Sequence, residues 1–260
     1  MNLDLTGKTA LVCGSTQGIG RAAAHELALL GANVVLMARN EESLKQTLAA
    51  LPGTGRHSCI VADFSQPAQV GAAAQQFVAG GHTIHILVNN TGGPPGGPIT
   101  DATVDAFLSA FQSHLLCNHL LAQAVLPGMK AEGYGRIINI ISTSVKQPLK
   151  GLGVSNTIRA AVGNWAKTLS LEVAAHGITV NNVLPGATAT QRLHSIIDAK
   201  QQKTGRPANE LEAEMLHEIP AARFAQPEEV AAAVAFLATP AAGYINGINV
   251  PVDGGRTGSL

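Results

Sequence analysis

The stretch Thr9-Ala-Leu-Val-Cys13-Gly14-Ser15-Thr16-Gln17-Gly18-Ile19-Gly20 decides the fold. Its first five residues are apolar on both faces and read as a buried strand. A glycine-rich turn follows at once. Residues 18–30 then carry Ala and Leu at helical spacing. Strand, tight turn and helix together let a backbone approach a pyrophosphate, while the helix N-terminus supplies free N–H groups and the positive end of a dipole. Gly14, Ser15, Thr16, Gln17, Gly18, Ile19 and Gly20 are therefore the expected phosphate cradle. The spacing is G-x-x-x-G-x-G, which a purely structural glycine turn also satisfies.

Outward from that unit the chain keeps alternating. Further strands are expected at 33–37, 57–62, 85–89, 136–141, 178–184 and 248–252. Helices are expected at 41–51, 66–79, 104–131, 153–176 and 227–238, with an interruption of the 104–131 helix near Pro127. Strand–helix alternation means parallel strands joined by right-handed crossovers. Runs that are apolar on both faces suit a sheet covered by helices on both sides. The class is α/β, a single Rossmann-type doubly wound domain over 1–260. Residues 189–220 break the rhythm with a polar, charged, helical segment, read as a lid or substrate-loop insertion.

The 260 residues are 46% hydrophobic and only 13% charged, with a formal net charge of +0, so a large core is available and no basic cluster could neutralise a run of phosphates. A nucleic-acid partner is not expected. No apolar run is long enough to span a bilayer, and the N-terminus lacks a signal-peptide layout. The expectation is a cytoplasmic protein. Cys13, Cys59 and Cys117 are far apart and lack metal-ligand spacing, so no metal site is expected and all three read as buried apolar thiols.

Four further features follow the glycine turn in order. Asp63 comes after the third strand, and Asn89-Asn90-Thr91-Gly92 after the fourth. Pro185-Gly186, with Thr188 and Thr190 next, comes after the sixth, and Asp253-Gly254-Gly255 closes the last. Together they resemble the motifs of the short-chain dehydrogenase/reductase family, over residues 5–255. That resemblance implies a seven-stranded parallel sheet and a nicotinamide dinucleotide as cofactor. It implies adenine contact by Asp63 and nicotinamide contacts near Asn90, Gly92, Pro185, Gly186 and Thr188. It also implies a homotetramer or homodimer packed through the long helices. Arg39, at the end of the second strand where an acid would bind the ribose of NAD, suits a 2′-phosphate and points to NADP over NAD.

The same resemblance places an Asn, Ser, Tyr and Lys at the catalytic centre. Aligned through Asn139-Ile140-Ile141-Ser142, this chain has Ser142 at the Ser, Ser155 at the Tyr, Arg159 at the Lys and His114 at the Asn. A serine is a far weaker acid than a phenol, and a guanidinium holds its protons too firmly to shuttle them. Ser142 is the expected polariser of a carbonyl, and Arg159 the holder of the cofactor ribose. His114, whose unperturbed imidazole titrates near neutrality, and Lys146, on the loop after the fifth strand, are the candidate proton carriers. A hydrogen-bonded helix histidine and a solvated loop lysine are the plain alternatives. The only tyrosines, Tyr134 and Tyr244, lie on the wrong sides of their strands to replace the missing phenol.

Three functions stay open on these residues. The first is an NADP-dependent oxidoreductase acting on a small carbonyl or secondary alcohol through an unusual proton relay. The second is a dinucleotide-binding sensor or partner protein that has lost catalysis. The third is an isomerase or lyase that uses its cofactor without net hydride transfer. The loop 91–98, Thr-Gly-Gly-Pro-Pro-Gly-Gly-Pro, is expected beside the nicotinamide as a stiff, closely approachable wall.

Overall fold

Successive residues of the first strand face opposite ways, and two separate apolar sets answer them. In the computed structural model, which describes residues 1–259, β1 (Thr9–Cys13) turns Ala10 and Val12 to one side and Leu11 and Cys13 to the other. β2 (Asn33–Ala38), β3 (Ser58–Val61), β4 (Ile86–Asn89), β5 (Gly135–Ile140), β6 (Ile178–Pro185) and β7 (Asn249–Val252) complete one sheet. Its order is β3-β2-β1-β4-β5-β6-β7, and every pairing is parallel. This is the doubly wound seven-stranded architecture expected.

Helices cover both faces. α1 (Gly18–Leu29) and α9 (Pro227–Ala238) lay Ala23, Leu27, Val230 and Val234 against Val12, Leu36, Val88 and Ile138. On the opposite face, α3 (Pro67–Ala79), α5 (Cys117–Glu132) and α6 (Gly153–Val173) bring Val70, Leu121, Val125 and Ala166 to Leu11, Met37, Leu87 and Ile137. Each fully buried Leu, Ile or Val contributes about 1.5–3 kcal/mol. α2 (Glu41–Ala49) starts on Asn40, whose side chain accepts from the Ser43 N–H. Cys13 and Cys117 are buried and free as expected; Cys59, near the sheet edge on β3, is only half-buried, which corrects the expectation for that residue.

One polar device crosses this apolar interior. Asn89, Asn139, Asn182 and Asn249 stand in register on β4 to β7. The first three each donate Nδ2 to the next side-chain oxygen, at 2.8, 2.9 and 2.8 Å.

The long helix differs from expectation in a useful way. Pro127 lies inside α5 and does not interrupt it, because Pro127 and Gln123, whose carbonyl loses a donor, are both exposed. The break comes earlier, as a π-helical turn over Phe111–Leu116 between α4 (Val104–Ala110) and α5, and His114 sits in it. Within 189–220 the chain forms α7 (Gln191–Thr204) and α8 (Ala208–His217). They pack on each other through Leu193, Ile197 and Leu211. No helix among the described residues is long and apolar enough to cross a membrane.

Candidate active site

The chain runs outward from β1 through β2 to β3, then returns to place β4 on the other flank of β1. The crevice at the carboxyl ends of β1 and β4 is where such sheets bind ligands, and the glycine turn occupies it. Gly14 has φ +57°, and a β-carbon there would stand 2.7 Å from the Asn90 carbonyl oxygen. At Gly20 a β-carbon would stand 2.2 Å from the Gly14 carbonyl oxygen and 2.6 Å from Asn90 Nδ2. Asn90 braces the turn, donating Nδ2 to the carbonyls of Cys13 and Gly14, both at 3.2 Å.

The turn is also chemically unfinished. α1 starts at Gln17 with no side-chain cap and no acid in its first turn, so its leading N–H groups and dipole face outward unclaimed. Ser15 is fully buried, and its Oγ has no hydrogen-bond partner. A buried hydroxyl in that state is costly until a ligand completes it. With Thr16, Gly18 and Ile19 on the same turn, these features fit a dinucleotide pyrophosphate.

Arg39 is exposed just past β2, in no ion pair among the described residues, with Asp63 at the neighbouring strand end. Hydrogen bonds from Ser65 hold the Asp63 carboxyl below its usual range, and the Arg39 charge adds to this. On the other flank, Gly186 donates its N–H to the Val252 carbonyl at 2.9 Å, and Thr188 donates Oγ1 to the Gly186 carbonyl at 3.2 Å. Pro185 ends β6 beside them, and Gly92 is exposed with open space above its α-carbon.

The residues expected to carry catalysis converge around β5. Ser142 follows the strand, and its Oγ accepts from the Ser144 N–H at 3.1 Å, which leaves the hydroxyl proton free to donate. Ser155 and Arg159 share one face of α6. Arg159 Nε donates to Ser155 Oγ at 3.3 Å, and its Nη1 donates to the carbonyls of Ile140 and Ile141 at 3.1 and 2.9 Å. Desolvation, reinforced by nearby Arg192, lowers the Arg159 pKa to about 10. His114 is buried beside the Gly92 backbone, and close enough to Arg159 and Arg192 to feel both charges.

Burial first, then those two cations, push the His114 pKa down to about 3. The expectation that His114 titrates near neutrality is therefore corrected: the ring is neutral at pH 7. Lys146 is partly buried after the short helical turn Thr143–Val145, without an ion pair. A cavity of about 410 Å³ opens nearby, beside Thr143 and Gln147, against the Glu218–Arg256 ion pair. Neither tyrosine enters the site. Tyr134 donates its hydroxyl to the Ala238 carbonyl at 2.7 Å, and Tyr244 is fully exposed.

Arg192 is the residue that the sequence did not single out. It is the second residue of α7, and its Nη2 donates to the carbonyl of Pro94 in the 91–98 loop. Nothing in the local sequence of α7 distinguishes it, because its partners come from β4's loop and α6.

Residues 14–257 match the family model described as enoyl-(acyl carrier protein) reductase. The 3-oxoacyl-[acyl-carrier-protein] reductase FabG of Haemophilus influenzae is 35% identical over 96% of this chain and 98% of its own length. The chain belongs to the short-chain dehydrogenase/reductase family. Another member, the NADPH-dependent reductase BacG of Bacillus subtilis, is 30% identical over 98% of this chain and 100% of that protein. Among solved structures, L-sorbose reductase from Gluconobacter frateurii, complexed with NADPH and L-sorbose, superposes with a TM-score of 0.92 at 31% identity, covering 100% of both chains. This short-chain dehydrogenase/reductase shares its seven-stranded parallel fold with those reductases.

Proposed function

We propose that the protein is an NADPH-dependent reductase of small carbonyl compounds, able to run in reverse on secondary alcohols. The observation that carries this reading is the unfinished cradle at the β1–β4 switch point, with its unclaimed α1 N-terminus and orphaned Ser15 hydroxyl, beside the Ser142–Ser155–Arg159 group. Arg39 and Asp63 would take the adenosine end with its 2′-phosphate, and Asn90, Gly92, Pro185, Gly186 and Thr188 the nicotinamide end. NADPH, when bound, supplies the hydride.

The chain's own residues handle the oxygen. Ser142 donates its hydroxyl proton to the substrate carbonyl and polarises it. Ser155 accepts from Arg159 Nε, so its own proton is free to make a second such bond. The fixed guanidinium behind it stabilises negative charge as it develops on the oxygen. Neutral His114 lines the site beside the Gly92 backbone, and the proton that completes the alcohol comes from solvent or Lys146. α7 and α8 act as a lid over the site. Val104, Leu108 and Leu171 leave apolar side chains exposed on α4 and α6, which supports a homodimer or homotetramer through these helices. Three free cysteines fit a reducing cytoplasm.

A second reading, a dinucleotide-binding sensor without turnover, is favoured by one observation: no phenol reaches the site. Titration with NADPH and NADH, followed by nicotinamide fluorescence, comes first; NADPH should bind at least tenfold tighter. With a panel of aldehydes and ketones, Ser142→Ala should then lower kcat roughly a hundredfold while NADPH affinity is kept. NADPH binding without turnover on any carbonyl would give the protein to the second reading. Binding of neither nucleotide would overturn both.

A further inference from the structure

Two guanidinium groups converge on one point beside the proposed reaction centre. A β-carbon built on Gly93 would stand 3.2 Å from Arg192 Nη2 and 3.3 Å from Arg159 Nη2, so these two nitrogens are no further apart than the sum of those distances. The absent side chain of Gly93 leaves the space between them clear. No carboxylate answers either cation: among the described residues neither arginine forms an ion pair.

The donors are only partly used. A guanidinium has five N–H groups. Arg159 spends its Nε on Ser155 and its Nη1 on the carbonyls of Ile140 and Ile141, which leaves both Nη2 protons facing Gly93. Arg192 makes one hydrogen bond, to the Pro94 carbonyl. Two partly buried cations held together without a counter-ion repel one another and lose hydration, a cost that a bound anion would offset. The depressed pKa of Arg159, caused by burial and by Arg192, records the same strain.

We propose that Arg159 and Arg192 together bind the carboxylate of the substrate, so that the protein acts on a carbonyl acid. A planar carboxylate can accept from the unused Nη2 protons of Arg159 and from the donors that Arg192 does not spend on Pro94. The site is close to the reacting centre, because Arg159 is bonded to Ser155 and to the carbonyl immediately before Ser142. A carboxylate held there lies on the Ser155 side of the reaction centre, which fits a short oxo acid such as a 2-oxo or 3-oxo acid. Arg192 arrives on α7, so the lid itself carries half of the anion site and closes on the charge it recognises. This assignment rests on the reductase reading for the role of the bound acid.

The test compares 2-oxohexanoate with its methyl ester, binding to the protein–NADPH complex, by calorimetry. The acid should bind at least tenfold tighter than the ester. Arg192→Gln should weaken the acid by tenfold or more, leave the ester unchanged and leave NADPH affinity within twofold. Arg192→Lys should restore part of the preference for acid. Gly93→Ala, which fills the gap, should also weaken the acid selectively. Equal affinity of acid and ester for the wild type would overturn the proposal. So would an Arg192→Gln variant that loses NADPH as severely as acid, which would assign Arg192 to the cofactor's phosphates. Failure of the wild type to bind NADPH would overturn the reductase reading instead; the acid–ester comparison on the free protein would still decide the anion site.

Discussion

The imidazole of His114 takes up its proton only near pH 3 in the folded chain, against an unperturbed value of about 6.5. Between those two values the unfolded chain holds a proton that the folded chain does not. Stability is therefore full above about pH 6.5 and falls as the pH is lowered toward 3. His114→Asn removes this proton uptake, so its melting temperature should fall less steeply than the wild type's between pH 7 and pH 4. Parallel acid slopes would show that the folded ring is already protonated. The cause of the depression, Arg159 and Arg192 beside a buried ring, explains what the sequence withheld. Ser142, Ser155 and Arg159 were readable because they hang on one strand and one helix face at fixed spacing. Arg192 was not, since its meaning depends on Gly93 and Pro94, far upstream in the chain. The imidazole's neutrality was hidden for the same reason: a pKa belongs to an assembled environment, not to a residue type.

The asparagine ladder on β4–β7 joins strands that the sequence presents as separate apolar runs. Asn139 is at its centre, fully buried, donating to Asn182 and accepting from Asn89. Asn139→Leu would leave the Asn182 oxygen and the Asn89 amide unpaired in a low-dielectric interior. The expected loss is about 2–4 kcal/mol, read by urea unfolding. A loss under about 1 kcal/mol would mean that the neighbours find water or each other. The ladder lies beneath Ser142, so its loss should also loosen the strand end that positions the hydroxyl. At the same scale, the π-helical turn explains why the break in the long helix was misplaced. Proline advertises a break, but an exposed proline on a helix's solvent side is absorbed with little distortion. The turn at Phe111–Leu116 has no such marker, and it aims His114 at the site.

At the scale of the whole molecule, the alternation of two-faced apolar runs with amphipathic helices left few topologies open, because parallel strands require right-handed crossovers. The strand order then places the glycine turn at the switch point. A dinucleotide lying there would span both halves of the sheet: Arg39 and Asp63 at the ends of β2 and β3, and the segment after β6 on the other side. It would link elements that otherwise meet only through the central strands, and a ligand that binds only the folded state stabilises it by mass action. At one hundred times its Kd, NADPH should add about 2.7 kcal/mol, which for a domain of this size raises the melting temperature by roughly 5–10 °C. At the same concentration NADH should raise it much less. Arg39→Ala removes the charge expected to meet the 2′-phosphate while leaving the cradle intact, so the two nucleotides should then give similar shifts. If NADPH keeps its full advantage in Arg39→Ala, another cation reads the 2′-phosphate; if NADH stabilises the wild type as strongly as NADPH, the end of β2 does not select between them.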